Sequence, residues 1–361
     1  MRIVVFTCNT GGGHNACARY IQEEFQSRGV ECDIKDYMEL AGKNASSLAE
    51  KMYLDSTHGN GKVFGSVYKL GELYSKTKIP SPVYGLNKLI KYKLYRYLMD
   101  HQYDLAIGTQ LFACLGLTAV KKEYPICFIN VATDYECIPF WEETKPDYFV
   151  IPSSLLMQRF MDKGFSKDIL LPIGIPISSR FLDSKESCEF PKDKDMILLT
   201  SGSMGFGDLK NIVLRLLEEI HDTYLVVVCG NNKKMKKELE MIQNDYLIVK
   251  GFIHNMGEYM KASTIVITKP GGVTTTEVVE LRKPLILMMP IPGVEDYNAS
   301  FFENHQMALK ANNTEELVIK TKWLLENKNM QEELVRHQRE YIHPYSAKAL
   351  VDFVLERLKK S

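Results

Sequence analysis

The sequence predicts an α/β protein built from two doubly wound domains, each a parallel β-sheet with helices on both faces. Short, wholly apolar runs alternate with amphipathic stretches of helical length along most of the 361 residues. Strands that are apolar throughout are typical of parallel sheets whose two faces are both covered. A polar stretch that contains proline, residues 178–195, separates two such series. At about 100–200 residues per domain, the length also fits two domains.

Eleven segments have the composition of buried strands. Six belong to the first series, namely residues 3–7, 32–35, 105–108, 127–131, 148–151 and 169–171. Five belong to the second, namely residues 196–200, 225–229, 247–249, 265–268 and 285–289. From residue 314 onward, helical periodicity continues without a further strand. We therefore predict an N-terminal domain (1–172), a linker (173–195), a second domain (196–335) and a C-terminal helical segment (336–361) that packs across the domains.

Composition limits the classes of partner and cofactor. Lys and Arg number 45 and Asp and Glu also number 45, so the formal net charge is zero and we expect no nucleic-acid partner. No apolar run approaches the roughly 18–20 residues that span a bilayer, and we expect a cytoplasmic protein. The eight cysteines form no C-x-x-C motif and the eight histidines no H-x-x-x-H pair, so we expect reduced packing thiols and no metal site.

The first glycine-rich turn directly follows the first strand and precedes a helix. Gly12 and Gly13 lie at that helix N-terminus, where unpaired N–H groups favour negative charge. His14 at the same place suits a general base, because an ordinary imidazole titrates near neutrality, although a histidine that caps the helix fits equally well. The turn also satisfies the dinucleotide fingerprint, with Asp33 or Asp36 as the ribose acid, so an NAD-dependent oxidoreductase is an alternative.

A second turn, residues 269–277, follows the strand at 265–268. Gly271, Gly272 and Thr274 supply N–H and O–H donors at a helix N-terminus, which suits a diphosphate. Glu277, in the first turn of that helix, either caps N–H groups or accepts hydrogen bonds from ribose hydroxyls. No Gly-Lys-Ser/Thr closes the turn, so it is not a Walker loop.

Two further turns end strands of the same predicted sheet. Glu295 and Asn298 follow the strand at 285–289, and Ser203 lies in a turn after the strand at 196–200. Because ligands of such sheets bind at the carboxyl ends of the strands, these turns are expected to share one crevice. The one D-x-D motif, residues 193–195, falls in the predicted linker and is interpreted as solvated charge.

Six motifs together resemble the family 28 glycosyltransferases that make monoglycosyl diacylglycerol, over nearly the whole chain. They are Gly-Gly-Gly-His at 11–14, Thr-Asp-Tyr at 133–135 with Trp141, Cys-Gly-Asn-Asn at 229–232, Gly-Phe at 251–252 ahead of Asn-Met at 255–256, Lys-Pro-Gly-Gly-Val-Thr at 269–274, and Pro-Gly at 292–293 with Glu295 and Asn298. The resemblance implies a GT-B fold, in which two Rossmann-like domains face a cleft.

The same resemblance implies the reaction and its residues. UDP would be bound by Ser203, Gly251, Phe252, Gly271, Gly272, Thr274 and Glu277, with Glu295 and Asn298 near the sugar. On the acceptor side would lie Gly12, Gly13, Asp134 and Trp141. His14 would deprotonate the hydroxyl of diacylglycerol, which then displaces UDP with inversion at the sugar. UDP-glucose is the favoured donor and UDP-galactose the alternative; the UDP-sugar is a substrate, and no cofactor is expected.

Where the family has Gln before the Glu of the Pro-Gly segment, this chain has Val294, which can neither donate nor accept a hydrogen bond. The choice between glucose and galactose is therefore expected to be less strict. Asp134 is not followed by the histidine often seen there, so its role stays open. A related enzyme alternative is an N-acetylglucosaminyl transferase that acts on a polyprenyl-linked acceptor.

Residues 61–100 carry six more basic than acidic side chains, interleaved with tyrosines. A solvated helix face is the ordinary interpretation of such a run. Because the acceptor implied by the resemblance is a bilayer lipid, we instead predict a patch that binds an anionic membrane surface. Its members would be Lys88, Lys91, Lys93 and Arg96. The enzyme would then be peripherally associated with the inner face of the plasma membrane.

Overall fold

The computed structural model of the protein describes residues 1–9, 12–42, 45–47, 51, 62–75, 77, 79, 81–185, 193–202 and 209–358, with the backbone alone at 62–64, 67, 82–86, 88 and 89. The chain forms two compact units. The first is Met1–Arg180 with Pro292–Val294 and Tyr345–Ser361, and the second is Phe181–Ile291 with Glu295–Pro344. The division after Arg180 thus falls inside the segment 173–195, and the last helix groups with the first unit.

The first unit is a six-stranded parallel sheet in the order β2-β1-β3-β4-β5-β6. Its strands are β1 (Arg2–Thr7), β2 (Glu31–Asp36), β3 (Leu105–Gly108), β4 (Cys127–Val131), β5 (Tyr148–Val150) and β6 (Leu170–Leu171). Its helices are α1 (Gly12–Ser27), α2 (Lys62–Ser75), α3 (Pro82–His101), α4 (Leu111–Val120) and α5 (Met157–Asp162), and α6 (Ser179–Leu182) spans the division. Short 3₁₀ turns cover Tyr37–Leu40, Trp141–Glu143, Ser154–Leu156 and Lys167–Ile169.

The second unit is also a six-stranded parallel sheet, in the order β12-β11-β10-β7-β8-β9. Its strands are β7 (Met196–Thr200), β8 (Tyr224–Val228), β9 (Leu247–Lys250), β10 (Ile265–Thr268), β11 (Leu285–Met288) and β12 (Leu309–Ala311). Its helices are α7 (Leu209–Glu219), α8 (Lys233–Glu240), α9 (Met256–Ala262), α10 (Gly272–Glu280), α11 (Val294–Asn304), α12 (Thr314–Glu326) and α13 (Lys328–Tyr341). The last helix, α14 (Ser346–Leu358), returns to the first unit.

The strand order explains where each unit can hold a ligand. In the first sheet the direction of winding reverses between β1 and β3, and in the second it reverses between β7 and β10. At such a switch point the turns that leave the two neighbouring strands diverge and open a crevice at their carboxyl ends. The two glycine-rich turns follow β1 and β10, so each lies at a switch point.

Most strands could be predicted from apolar runs because they are buried in the structure. β3, β7, β10 and β11 are buried at every residue, as apolar strands covered on both faces should be. All eleven predicted strands are confirmed. The twelfth, β12, was missed, because three residues with Lys310 at their centre give no apolar run.

The structure bears on the expectations about membrane-spanning segments and about the cysteines. No described helix is both long and apolar enough to cross a bilayer. The seven described cysteines are free thiols and six of them are buried, as expected of packing residues. The eighth, Cys188, lies outside the described residues.

Candidate active site

His14 is held at the N-terminus of α1 by residues that follow neighbouring strands. Its Nδ1 atom lies 2.9 Å from the carbonyl oxygen of Thr109, which follows β3, and 3.0 Å from Oγ1 of Thr133, which follows β4. The Thr109 hydroxyl in turn donates to the His14 carbonyl at 3.2 Å. A carbonyl oxygen only accepts, so Nδ1 carries the proton and Nε2 is the basic nitrogen of the neutral ring.

The surroundings of His14 determine the pKa of its imidazole. Burial lowers the pKa of the imidazole from its ordinary value near 6.5, and the nearby Asp134 carboxylate and the Thr109 carbonyl partly offset that effect. The net shift is downward, so the ring is neutral at pH 7. No described residue hydrogen-bonds Nε2. A neutral ring whose Nε2 lone pair is not used by the described residues is the form that a general base requires.

Both candidate ribose acids of the dinucleotide fingerprint are already engaged. Asp36 accepts from the Met38 N–H at 2.9 Å and from the Ser46 hydroxyl. Asp33 accepts from the Tyr103 hydroxyl at 2.8 Å and pairs with Arg2 at 3.5 Å. The structure therefore gives no support to an NAD site at this turn.

Of the predicted acceptor-side residues, Gly12 and Gly13 open α1, and Asp134 lies half-buried next to Thr133. Trp141 is placed differently. Its side chain is only 3% exposed and its ring centroid lies 4.9 Å from that of Phe149 in the core. The indole therefore has almost no surface to offer an acceptor, and in this structure Trp141 packs in the core of the first unit.

The turn that begins at Trp141 instead anchors two helices. Glu142 accepts a hydrogen bond from the hydroxyl of Ser75, the last residue of α2. Glu143 accepts from both the N–H and the hydroxyl of Ser81, just before α3, each at 2.7 Å. These contacts fix the end of α2 and the start of α3, the helix that carries the predicted membrane patch.

In the second unit, the turn between β10 and α10 has the geometry of an anion site. The N-cap residue of this nine-residue helix is Gly271, which has no side chain to cap the first N–H groups, so these groups suit an anionic ligand. A Cβ atom built on Gly271 would meet no described atom within 4 Å, so the backbone of the turn is open on that side. Gly272 is buried and Thr274 is half-buried. Glu277 is buried in the second turn of the helix, and not in the first turn as predicted, because the helix begins at Gly272.

Three buried hydroxyls near this turn have no hydrogen-bond partner among the described residues. They belong to Ser201 after β7, Thr268 at the end of β10 and Thr275 in the first turn of α10. β7 and β10 are hydrogen-bonded neighbours, with Thr268 opposite Thr200. Buried hydroxyls normally have partners, so this edge of the sheet has unused donors where a ligand would bind. Ser201 and Thr275 lie in the two donor-rich turns that the sequence predicted, whereas Thr268 was not predicted.

The turn after β11 is tied to the turn after β10. Lys269 Nζ lies 3.0 Å from Oε1 of Glu295, whose Oε2 accepts from the Ile291 N–H at 2.8 Å. The side-chain amide of Asn298 donates to the Pro270 carbonyl at 2.9 Å, and Asn298 is fully buried. Glu295 and Asn298 therefore lie at the same edge as the predicted diphosphate turn, through contacts that the sequence did not reveal.

The segment predicted to contact the nucleobase follows β9. The Phe252 ring is half exposed and meets His254 edge-on, with ring centroids 5.0 Å apart. Gly251 lies near Lys236, because a Cβ built on it would be 3.4 Å from the Lys236 side chain. An exposed aromatic ring at the carboxyl end of a strand can cover a flat base. Ser203, the remaining predicted UDP ligand, lies outside the described residues.

The D-x-D motif is placed at the opposite edge of the second sheet. It precedes β7, whereas the ligand turns follow β7, β10 and β11. Asp195 accepts from the Thr264 hydroxyl at 2.9 Å, and Lys194 pairs with Asp222 at 2.9 Å. Within the described ranges, no group of three or more His, Cys, Asp or Glu side chains could hold a metal ion.

The predicted membrane patch lies on α3. Lys93 and Arg96 are exposed, Arg96 lies over the Tyr92 ring at 6.0 Å, and Lys91 pairs with Glu123 at 2.6 Å. The side chain of Lys88 lies outside the described residues. On the neighbouring α2, the structure adds an apolar face that the sequence analysis missed: Leu70 and Leu73, three residues apart, are 66% and 64% exposed.

Comparison with known families decides the class of this protein. Residues 14–177 match the family described as monogalactosyldiacylglycerol (MGDG) synthase, and residues 196–347 match the glycosyltransferase family 28 C-terminal domain. The chain belongs to glycosyltransferase family 28. It is therefore an enzyme of the UDP-sugar-dependent hexosyltransferase class, and the predicted family is confirmed.

Curated relatives and solved structures agree with this assignment. Processive diacylglycerol beta-glucosyltransferases of Bacillus cytotoxicus and Bacillus mycoides are each 27% identical over 98% of this chain and 93% of their own. Acinetobacter baumannii MurG has a TM-score of 0.62 at 15% identity, covering 98% of this chain and 99% of its own. The spinosyn rhamnosyltransferase SpnG with thymidine diphosphate has a TM-score of 0.64 at 12% identity, covering 98% and 100%. At these identities the structural likeness shows the fold alone, and the GT-B class with two Rossmann-like domains is confirmed.

Proposed function

We propose that this enzyme transfers a hexose from a UDP-sugar, preferably UDP-glucose, to the free hydroxyl of diacylglycerol with inversion, which forms monoglycosyl diacylglycerol. The acceptor and the sugar are supported by the activity for which the Bacillus relatives are named. The observation that carries the chemistry is the Nδ1 contact of His14 with the Thr109 carbonyl, which leaves Nε2 as the base.

In this reaction His14 Nε2 takes the proton of the glycerol hydroxyl as its oxygen attacks the anomeric carbon. The bond from that carbon to the diphosphate of UDP breaks on the opposite face, so the α-linked donor gives a β-linked product. Positioned bases of this kind contribute typically about 10²–10⁴ in rate. Asp134 stabilises the imidazolium that forms, because its charge favours the protonated ring.

The leaving UDP gains negative charge as the bond breaks. In our proposal this charge develops at the N-terminus of α10, where N–H groups of the Gly271–Gly272 turn and the Thr274 hydroxyl are fixed in advance. Glu277 would accept hydrogen bonds from the ribose hydroxyls, and Phe252 would cover the uracil. The proposal includes no cofactor and no metal ion.

The acceptor resides in a bilayer, so the enzyme must meet a membrane surface. Leu70 and Leu73 on α2 would insert among the lipid tails, and Lys93 and Arg96 on α3 would face anionic head groups. Each basic residue near such a surface adds about 1 kcal/mol, and each inserted leucine about 1.5–3 kcal/mol. Because Lys91 is paired with Glu123, it contributes less to membrane binding. The proposed location is the inner face of the plasma membrane.

The direct test is transfer of label from radiolabelled UDP-glucose, UDP-galactose and UDP-N-acetylglucosamine to diacylglycerol or a polyprenyl-linked acceptor. We expect a labelled glycolipid from UDP-glucose and diacylglycerol. Because Val294 makes no hydrogen bond to the sugar, discrimination is weaker and we also expect measurable turnover of UDP-galactose. Transfer only of N-acetylglucosamine to the polyprenyl acceptor would replace this proposal with the alternative.

A further inference from the structure

The ion pair between Lys269 and Glu295 joins two turns of the second unit. Lys269 directly follows β10, and Glu295 is the second residue of α11, which follows β11. The two side chains are only 14% and 13% exposed, so water screens their contact little. Removal of one partner from a shielded pair leaves an uncompensated charge, and such pairs are therefore sensitive to substitution.

The carboxylate of Glu295 still has room to accept hydrogen bonds. A carboxylate offers about four lone-pair directions on its two oxygens. Lys269 uses one on Oε1 and the Ile291 N–H uses one on Oε2, and no other described group contacts this carboxylate. About two directions, one on each oxygen, therefore remain, which is the number needed to bind two adjacent hydroxyl groups.

Asn298 has a different role from Glu295, although the resemblance implies that both residues lie near the sugar. It is fully buried, and its amide donates to the Pro270 carbonyl inside the turn that precedes α10. Because its amide nitrogen is engaged by this carbonyl, we assign Asn298 to the support of the turn. Glu295 thus keeps acceptor capacity for a ligand, whereas Asn298 supports the turn.

We propose that Lys269 is a positioning residue for the donor sugar. Together with the Ile291 N–H it fixes the Glu295 carboxylate so that its remaining lone pairs accept hydrogen bonds from two neighbouring hydroxyls of the hexose. Asn298 correspondingly positions the diphosphate turn. This inference rests on the proposed function, because it assumes that a UDP-sugar binds at this edge. It predicts that Lys269 affects sugar affinity and not UDP affinity.

Calorimetry with UDP and with UDP-glucose separates these contributions. In Lys269→Met we expect the affinity for UDP-glucose to fall about tenfold, as for the loss of one aligned hydrogen bond, while UDP affinity changes less than about twofold. Lys269→Arg should recover part of the loss, since it restores the charge. Asn298→Ala should weaken both ligands alike. Lys320→Met, which removes a lysine paired with Glu316 on α12, is the control and should change neither.

Three results of this calorimetry would contradict the inference or the proposed function. An equal loss of UDP and UDP-glucose affinity in a folded Lys269→Met protein, checked by its melting temperature, would mean that Lys269 serves the diphosphate and would contradict the inference. Unchanged affinity for both ligands would contradict it as well. If the wild-type enzyme binds neither ligand, the proposed function itself fails and the inference with it.

Discussion

The Nδ1 atom of His14 lies 2.9 Å from the carbonyl oxygen of Thr109, and this contact decides which nitrogen of the ring is basic. Since the carbonyl can only accept, the proton resides on Nδ1 whatever occupies the site. The Thr133 hydroxyl, 3.0 Å from the same atom, can share that proton but cannot move it to Nε2. The first unit therefore presents a histidine already in the tautomer that general-base catalysis needs.

Replacement of His14 by Ala should lower kcat about 10²–10⁴-fold, because the hydroxyl nucleophile loses its base. UDP affinity should stay within about twofold, since the proposed UDP site is formed by the second unit. Steady-state kinetics and calorimetry measure the two effects. His343→Ala, which removes an exposed histidine, is the matched control. Near-wild-type turnover by His14→Ala would rule out its role as base.

The pH dependence of kcat/KM tests the surroundings of His14. Activity should rise with pH as the imidazole loses its proton, with the midpoint below the ordinary value near 6.5 because burial lowers this pKa. Asp134→Asn removes a charge that raises the pKa, so the midpoint should move to still lower pH. The maximal rate should also fall, because the imidazolium formed during transfer loses its counter-charge. A shift to higher pH would contradict the assigned geometry.

The lowered pKa of His14 also makes the stability of the folded protein depend on pH. A histidine whose pKa is lower in the folded protein binds fewer protons there than in the unfolded chain, so it favours folding less as the pH falls. The loss begins near the ordinary pKa of 6.5 and grows below it. In His14→Ala this part of the acid destabilisation should disappear, which chemical denaturation at pH 7.5 and pH 5.5 would detect.

Glu277 and Glu280 offer a paired test on one helix. Both are buried in α10, at 7% and 5% exposure, three residues apart. Glu277→Ala should weaken UDP binding about tenfold if this side chain holds the ribose. Glu280→Ala should lower the melting temperature and leave UDP affinity of the folded protein unchanged. Identical behaviour of the two variants would assign Glu277 a purely structural role.

Membrane attachment can be tested by sedimentation with vesicles. Reversal of Lys88, Lys91, Lys93 and Arg96 to Glu should abolish binding to anionic vesicles and affect neutral ones little. Leu70→Ser with Leu73→Ser should weaken binding to both. Leu214→Ser, at an exposed leucine of α7, serves as control. Undiminished sedimentation of both multiple variants would show that α2 and α3 are ordinary solvated surface.

Much of this architecture could be predicted from the chain because parallel strands must be apolar on both faces. That rule located eleven strands and, through the turns that follow them, placed His14 and Glu295 at sheet edges. It could not find β12, since Lys310 breaks the apolar pattern in a strand of three residues. Nor could it distinguish a buried Trp141 from a ligand-facing one, because an indole suits either environment.

The contacts that define the site, in contrast, could not be predicted from the sequence. Lys269 and Glu295 are 26 residues apart and meet only because β10 and β11 are neighbours in the sheet. Thr109 could have been found, since it immediately follows β3 next to the strand that leads to His14. Its contribution is a backbone carbonyl, however, and no side-chain pattern in a sequence encodes the direction of a carbonyl.

The anomeric configuration of the product tests the central claim most directly. Wild-type enzyme should be incubated with UDP-glucose and diacylglycerol, and the purified glycolipid examined by proton nuclear magnetic resonance. Direct attack by a hydroxyl that His14 deprotonates predicts a β-linked glucosyl diacylglycerol from the α-linked donor. An α-linked product, or consumption of UDP-glucose with no lipid product, would contradict the account.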